Sequence, residues 1–389
     1  MRKRCLLFAL ALTLALWASL PALGEEEDWG LYIVVEDQDL LPPDVSRQAE
    51  ALMGLMTDTE KVYQLFIVSP EMLTGEGRTS ALGRENVLAA RPVGGVILFG
   101  QNIESEAQLR QLTADLQTQA ALAGIFPLFI AVDEEGGTVS RVANKLGYPL
   151  ADASETVGQS GDENAAYAAG AYIASYLSPL GINLDFAPTA DTVIDSPGVG
   201  VQSYGDDAAL VSRMASAMAE GLRQGGVIPC YTHFPGHGAK EGSTLGALSV
   251  RRTEEDMCAQ EWIPFRDGAA AGIEMILVSH AYLRTQGETI PASLSWQAVT
   301  GFLRGQIGYD GVIVTDSLRM AAVTKDYKAG QAAIQAIQAG ADILLLPADL
   351  DAAAQGIFKA LNSGQITMAR IEESVHRILM LKIQSGLIR

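Results

Sequence analysis

Cysteine and positive charge are both scarce in this sequence. Three cysteines in 389 residues exclude a disulfide-stapled mini-domain. Cys5 falls in an N-terminal apolar run, and Cys230 sits inside another apolar run, where it reads as a buried thiol rather than a partner for Cys258. Only 27 Lys and Arg stand against 46 Asp and Glu, a formal charge of −19, and no basic run follows the first four residues. A phosphate backbone is bound through clustered cations, so nucleic acid is excluded as a partner and an anionic membrane surface is disfavoured. Charged residues make up only 19% against 48% apolar, which excludes a disordered chain or a coiled-coil rod. After residue 24 no apolar run is long enough to cross a bilayer.

What is present begins with an address. Met1-Arg2-Lys3-Arg4 is basic, residues 5–20 are apolar, and Pro21-Ala22-Leu23-Gly24 precedes Glu25-Glu26-Glu27-Asp28. This layout predicts a cleavable signal peptide over residues 1–24, hence export to the periplasm or the extracellular space and no membrane association after cleavage. Residues 25–50 then form a lead-in, and residues 51–389 one domain.

Eight short apolar runs follow, at 64–69, 93–100, 127–133, 182–187, 227–233, 275–280, 311–316 and 342–347. Between them lie Ala-, Leu-, Glu- and Gln-rich stretches with three- and four-residue apolar spacing, at 106–123, 163–180, 206–224, 254–271, 295–306 and 329–339. Continuous apolar strands alternating with helices indicate parallel strands buried on both faces. Eight units predict a single (β/α)₈ TIM barrel of class α/β, closed by a packing helix over 371–387. An open doubly wound sheet would alternate in the same way. The placement of polar residues favours the barrel, because five runs end in chemistry-capable groups: Asp133 to Gly137, Asp185 to Asp191, Thr232 to Gly238, Ser279-His280, and Thr315-Asp316-Ser317. In a barrel those ends meet on one rim.

Asp316 ends a strand, which suits a nucleophile or base held rigidly, and equally a cap for the following helix. Asp133 leads two glutamates and the pair Gly136-Gly137, which allows close backbone approach to a ligand, or else forms an acidic surface turn. Histidine is the scarcest titratable group: His233, His237, His280 and His376 are all there are. His376 falls in the last helix, away from the rim. Metal sites at barrel mouths gather several histidines from several strands, and Pro235 and Gly236 prevent His233 and His237 from taking the helical i, i+4 arrangement of zinc proteases. No metal and no cofactor is expected.

Four segments together carry a resemblance: Ile130 to Gly137 (Ile-Ala-Val-Asp-Glu-Glu-Gly-Gly), Asp185 to Asp191 (Asp-Phe-Ala-Pro-Thr-Ala-Asp), His233 to Gly238 (His-Phe-Pro-Gly-His-Gly), and Gly308 to Asp316. In order and spacing they resemble the strand-end motifs of glycoside hydrolase family 3, and within it the single-barrel bacterial β-N-acetylhexosaminidases. The resemblance implies retaining hydrolysis of terminal β-linked sugars through a covalent glycosyl-enzyme. It places the nucleophile at Asp316 and sugar-hydroxyl contacts at Asp133, Arg141 and His233, with a carbohydrate as partner.

The departures from that pattern concern proton transfer and charge. Where the subgroup carries an Asp-Ser-His triplet whose Asp and His form the acid/base dyad, this chain has Ser243-Thr244-Leu245. The lysine before His233 is Thr232, and the arginine of an Arg-Ser-Phe-Gly motif is Gln202 in Gln202-Ser203-Tyr204-Gly205. Glu241 and His237 are the nearest titratable groups, and Glu241 is the candidate replacement acid/base. The alternative expectation is a saccharide-binding barrel that keeps the cleft without turnover.

Overall fold

The computed structural model describes residues 44–75, 87–194, 203–237, 240–241, 249–250, 252–284, 287 and 289–389. The expected signal peptide therefore lies outside the described residues, as does the lead-in up to residue 43.

Each of the eight apolar runs contains a strand. In chain order the strands are β1 (Phe66–Val68), β2 (Gly95–Ile97), β3 (Phe129–Val132), β4 (Glu134–Gly136), β5 (Val139–Ser140), β6 (Leu184–Asp185), β7 (Ile228–Phe234), β8 (Lys240–Glu241), β9 (Ser249–Val250), β10 (Met275–Val278), β11 (Tyr282–Leu283), β12 (Val312–Thr315) and β13 (Leu344–Leu345). Eight of them form one sheet in the order β12-β10-β7-β6-β3-β2-β1-β13, with every neighbouring pair parallel. A parallel bridge from Val314 to Ile343 joins the two ends. There the Thr315 amide donates to the Ile343 carbonyl at 3.0 Å and the Asp342 amide to the Ile313 carbonyl at 2.8 Å. The sheet closes, and the fold is a (β/α)₈ barrel.

Strand periodicity of two explains why the runs are apolar throughout. Ile67, Ile97, Phe129, Ala131, Leu277 and Val314 fill the interior. Their neighbours Phe66, Val96, Ile130, Val132, Val278 and Ile313 face the helices. Five of the helical expectations hold to within a few residues, for example Glu106–Leu122, where the Ser105 hydroxyl caps the start by accepting from the Gln108 amide at 3.2 Å. The sixth, 254–271, is two helices, Glu254–Ala259 and Ile263–Ala270. Pro264 has no N–H to continue the first helix and sits in the opening turn of the second. At the break the Trp262 indole donates to the Pro235 carbonyl at 3.1 Å, which ties this connection to the loop after β7.

The final helix, Met368–Gln384, closes the N-terminal end of the barrel with Ile371, Val375, Ile378 and Leu379 buried. His376 stands on it with Nε2 3.2 Å from the Ser46 hydroxyl, so it tethers the helix Val45–Met53, which runs across the expected lead-in boundary. Cys230 and Cys258 are both free thiols, the first buried. At the barrel floor, buried Asp342 accepts from Arg304 at 2.6 Å and from Ser374 at 2.7 Å, with Arg377 at 3.3 Å. Lys382, on the final helix, is fully buried, donating to Gln64 Oε1 at 2.5 Å and the Gly94 carbonyl at 3.1 Å, over the Phe129 ring.

Burial pushes the Lys382 ammonium down to about 7. Its folded value thus lies below that of the unfolded chain, about 10.4. Between those pH values the unfolded state binds the extra proton, so stability rises with pH, by up to about 1.4 kcal/mol per unit. Denaturant unfolding from pH 6 to pH 10 should show that rise in the wild type, and Lys382→Met should remove it and be the more stable protein at pH 6.

Candidate active site

The C-terminal ends of the barrel strands hold the titratable groups. β3 delivers Asp133 to the rim, and the hairpin of β4 and β5 turns the chain back to the helix Arg141–Leu146. Buried Glu134 fixes that helix: its carboxylate accepts from the Val142 amide at 2.7 Å, the Ala143 amide at 2.9 Å and the Tyr176 hydroxyl at 2.9 Å. Arg141 opens the helix, and its Nη2 stands 3.6 Å from Asp133 Oδ2. The expected carboxylate–guanidinium pair is therefore assembled. The role expected of Gly136-Gly137 is corrected. Both have positive φ, and a Cβ at either would meet Asp152 and Ala153 of this same chain, so the glycines serve the hairpin's packing rather than a ligand's approach.

On the opposite side, Thr189 bridges to Thr232 and the Ala190 amide donates to the Thr232 carbonyl at 2.6 Å, which sets Asp191 against β7. Asp191 is buried, with its side chain 1% exposed. Its Oδ2 lies 2.9 Å from His233 Nδ1, and its Oδ1 accepts from the His237 amide at 2.7 Å. A tight turn, with the Gly236 amide donating to the His233 carbonyl at 2.8 Å, brings the two imidazoles into a stack with centroids 4.3 Å apart. The sequence argument against a helical His pair holds, yet the rings meet through the turn. Asp191 received no role from the sequence and His237 stood there only as a titratable neighbour of the missing dyad; their meeting depends on the pairing of Thr189 and Ala190 with Thr232. Asp191, His233 and His237 each offer one ligand atom within 4.8 Å of the others, the one such triad among the described residues.

Asp316 follows β12 on the rim. Its amide donates to the Val278 carbonyl at 2.8 Å, and its Oδ1 accepts from the Ser317 amide at 2.6 Å. The next helix, Ala321–Thr324, starts five residues later with Met320 at its N-cap and no side-chain cap, so Asp316 is not a helix cap. His280 supports the segment from below: Nδ1 is 2.6 Å from the Ser293 hydroxyl and Nε2 2.9 Å from the Ser317 carbonyl. Beside Asp316, the loops after β1, β2, β12 and β13 enclose a cavity of about 310 Å³ lined by Ser69, Glu71, Gln101, Arg319 and Pro347.

Electrostatics couple the rim. Burial raises Asp133, Arg141 pulls it back, and the Asp316 charge raises it further. Burial likewise pushes Glu135 up to about 7, against the pull of His233. Burial raises Asp185 well above its usual value, and its Oδ2 has no hydrogen-bond partner among the described residues. Burial opposes the charge on Asp191 too, but His237 and His233 hold it below its usual value. For His233, desolvation favours the neutral ring, yet the bond to Asp191 and the charges of Asp191, Glu135 and Asp316 carry it to about 9. At neutral pH His233 is a cation.

The structure thus brings Asp133, Arg141, His233 and Asp316 to one rim. Glu241 lies in β8, paired antiparallel with β9 through Glu241 and Ser249, and its side chain is outside the described atoms. Ser243-Thr244-Leu245 and Gln202 lie outside the described residues.

Residues 57–381 match the glycosyl hydrolase family 3 N terminal domain. The chain is 32% identical over 343 residues to Beta-hexosaminidase LpqI of Mycobacterium tuberculosis, covering 85% of this chain and 84% of that protein. It is 32% identical to Beta-hexosaminidase A of Pseudoalteromonas piscicida, but spans only 53% of that protein's length. Among solved structures, the family 3 beta-N-acetylglucosaminidase from Paenibacillus sp. str. FPU-7 superposes with a TM-score of 0.80 at 35% identity, over 85% of this chain and 63% of that one. The chain belongs to glycosyl hydrolase family 3, a family of O-glycosyl hydrolases.

Proposed function

We propose that the protein is a retaining glycosidase that removes terminal β-linked sugars, with Asp316 as nucleophile. The observation that carries this reading is the state of Asp316. It is a rim carboxylate on a rigid strand end whose Oδ1 accepts from the Ser317 amide at 2.6 Å, leaving the other oxygen for a reacting carbon. Asp316 attacks the anomeric carbon and the glycosidic oxygen leaves with a proton. Water then attacks the glycosyl ester while a base takes its proton, so configuration is retained. Asp133 and Arg141 bind vicinal hydroxyls in two-pronged fashion, and the His233 cation binds a third. The relatives' names, beta-hexosaminidase and beta-N-acetylglucosaminidase, support an N-acetylhexosaminide as substrate. Glu241 supplies and removes the proton from the loop that follows β7. The N-terminal signal pattern places that substrate outside the cytoplasm.

A second reading is favoured by one observation. Ser243-Thr244-Leu245 cannot transfer a proton, which supports a saccharide-binding barrel. A 2-fluoro aryl β-N-acetylglucosaminide decides between them. Intact-mass analysis should show one adduct, mapped to Asp316 and absent in Asp316→Asn; binding of the sugar by calorimetry with no adduct selects the binding protein.

Loss of acid/base assistance lowers rates by about 10²–10⁴. In kcat/KM, which reports the first step, Glu241→Ala should therefore slow alkyl β-glycosides by that range while leaving nitrophenyl glycosides nearly unchanged, and equal effects on both would exclude Glu241 from the role. Glu134→Ala leaves two amides without their acceptor, so unfolding free energy should fall by roughly 3 kcal/mol. Because that helix start carries Arg141, KM should rise more than kcat falls.

A further inference from the structure

We propose that Trp262 is a positioning residue for His233: from the helix layer it holds the turn that presents the imidazole to the rim, and so sets affinity for the sugar without touching it. The affinity half rests on the functional reading above, in which His233 binds a sugar hydroxyl. The half that concerns the turn does not.

The end of β7 and the turn after it face two ways. His233 and His237 meet Asp191, the first through its ring at 2.9 Å and the second through its amide at 2.7 Å. The three residues between them all meet the segment 261–265. The Phe234 ring is fully buried against Trp262 and Phe265, with centroids 5.8 and 5.4 Å away. Pro235 has no N–H, so its carbonyl is its one backbone hydrogen-bonding group, and that carbonyl accepts from the buried Trp262 indole at 3.1 Å. Gly236 has a φ of +122°, and a Cβ there would stand 3.1 Å from Glu261 Cβ and 3.2 Å from its Cγ, so the glutamate stem lies against the turn.

This bracket is held in its own right. Trp262 is 2% exposed, its ring lies 4.8 Å from Phe302, and its amide donates to the Met257 carbonyl at 2.9 Å. Glu261 is as deeply buried and needs a counter-ion; Arg252 supplies it, with Nε 3.0 Å from Oε1. Arg252 stands two residues beyond β9, so the same pair ties the far end of the loop after β7 to the turn at its start. Filling this space calls only for an apolar ring, whereas the indole N–H adds a direction. The Pro235 carbonyl and the Gly236 amide belong to one planar peptide, so the indole that holds one end fixes the other, which donates to the His233 carbonyl at 2.8 Å. Loss of the donor frees that plane to rotate. The two imidazoles, stacked with centroids 4.3 Å apart and planes 12° from parallel, then lose their common support.

Trp262→Phe in the full-length protein keeps the ring contacts and removes the donor. Because the chain has only four histidines, their imidazole signals can be resolved by NMR with ring-labelled histidine and assigned with His233→Gln and His237→Gln. The His233 and His237 signals should move downfield as mutual ring shielding is lost, and those of His280 and His376 should stay. Calorimetric titration with N-acetylglucosamine should show affinity weaker by roughly 10-fold, the worth of one net hydrogen bond. A merely structural role lowers the melting temperature and moves neither readout. If the variant does not fold, Gly236→Ala, which presses the turn against the Glu261 stem and leaves the aromatic packing in place, is read in the same way. Imidazole signals that stay in place overturn the bracket. Signals that move while the sugar binds as it does to the wild type overturn the link to affinity, provided that His233→Gln weakens binding. Affinity unchanged in His233→Gln overturns instead the functional reading of His233, and the imidazole signals still decide whether Trp262 positions the turn.

Discussion

A closed parallel barrel gathers the ends of eight strands at one rim, and every carboxylate buried there must be neutralised, paired or hydrogen-bonded. The rim meets that constraint in four different ways. Glu134 takes two amides and a tyrosine hydroxyl, which oppose the rise that burial imposes on it. Asp133 has the Arg141 guanidinium. Asp191 has a histidine ring and a backbone amide. Asp185, with one oxygen unpaired, is raised well above its usual value by burial and by the carboxylates around it. Asp316 differs from all of these. It lies only partly buried, takes one amide, and so has no need of a partner that would occupy its second oxygen. Its exposure at the rim, rather than a lack of hydrogen bonds, separates Asp316 from Asp185, which also takes a single amide and leaves an oxygen unpaired.

The same constraint accounts for charge. The positions where cations were expected, 232 and 202, hold Thr232 and Gln202. The rim regains one positive charge through His233, because Asp191, Glu135 and Asp316 together stabilise the imidazolium. A lysine would carry its charge irrespective of neighbours; a histidine carries it only while those carboxylates are ionised. Consumption of the Asp316 charge in a glycosyl ester would therefore loosen the proton on His233, so the electrostatics of the site change during turnover without any movement of the backbone.

Much of this was legible in the sequence, for identifiable reasons. Strands buried on both faces must be apolar along their whole length, so the eight runs stood out, and polar groups tolerated at their ends marked the rim. Asp133, His233 and Asp316 stood out at the ends of apolar runs, whereas Arg141 came from the family resemblance alone; the fold brings the four to one rim. What was not legible depends on contacts between segments remote in sequence. Asp191 matters because Ala190 and Thr189 pair with Thr232, some forty residues away. The role of Gly136-Gly137 was misjudged because the atoms that crowd them belong to Asp152 and Ala153, which no local pattern announces. The helix expected over 254–271 divides at a proline, a signal present in the sequence, but its consequence depends on Trp262 reaching the Pro235 carbonyl.

Rim and floor divide the chemistry of the barrel between function and stability. At the floor, Asp342 draws Arg304, Arg370 and Arg377 around one buried carboxylate, and Lys382 is held by an amide oxygen and a carbonyl without any anion. Those groups tie the final helix to the strands and touch no rim residue. The two ends are joined through the strands alone: β12 carries Asp316 at one end, and its Ile313 amide donates to Asp342 at the other, 3.0 Å away. Asp316 is thus fixed in depth by a hydrogen bond made at the far side of the barrel. Its reach toward a sugar is set by strand length, which a rigid closed sheet does not let vary.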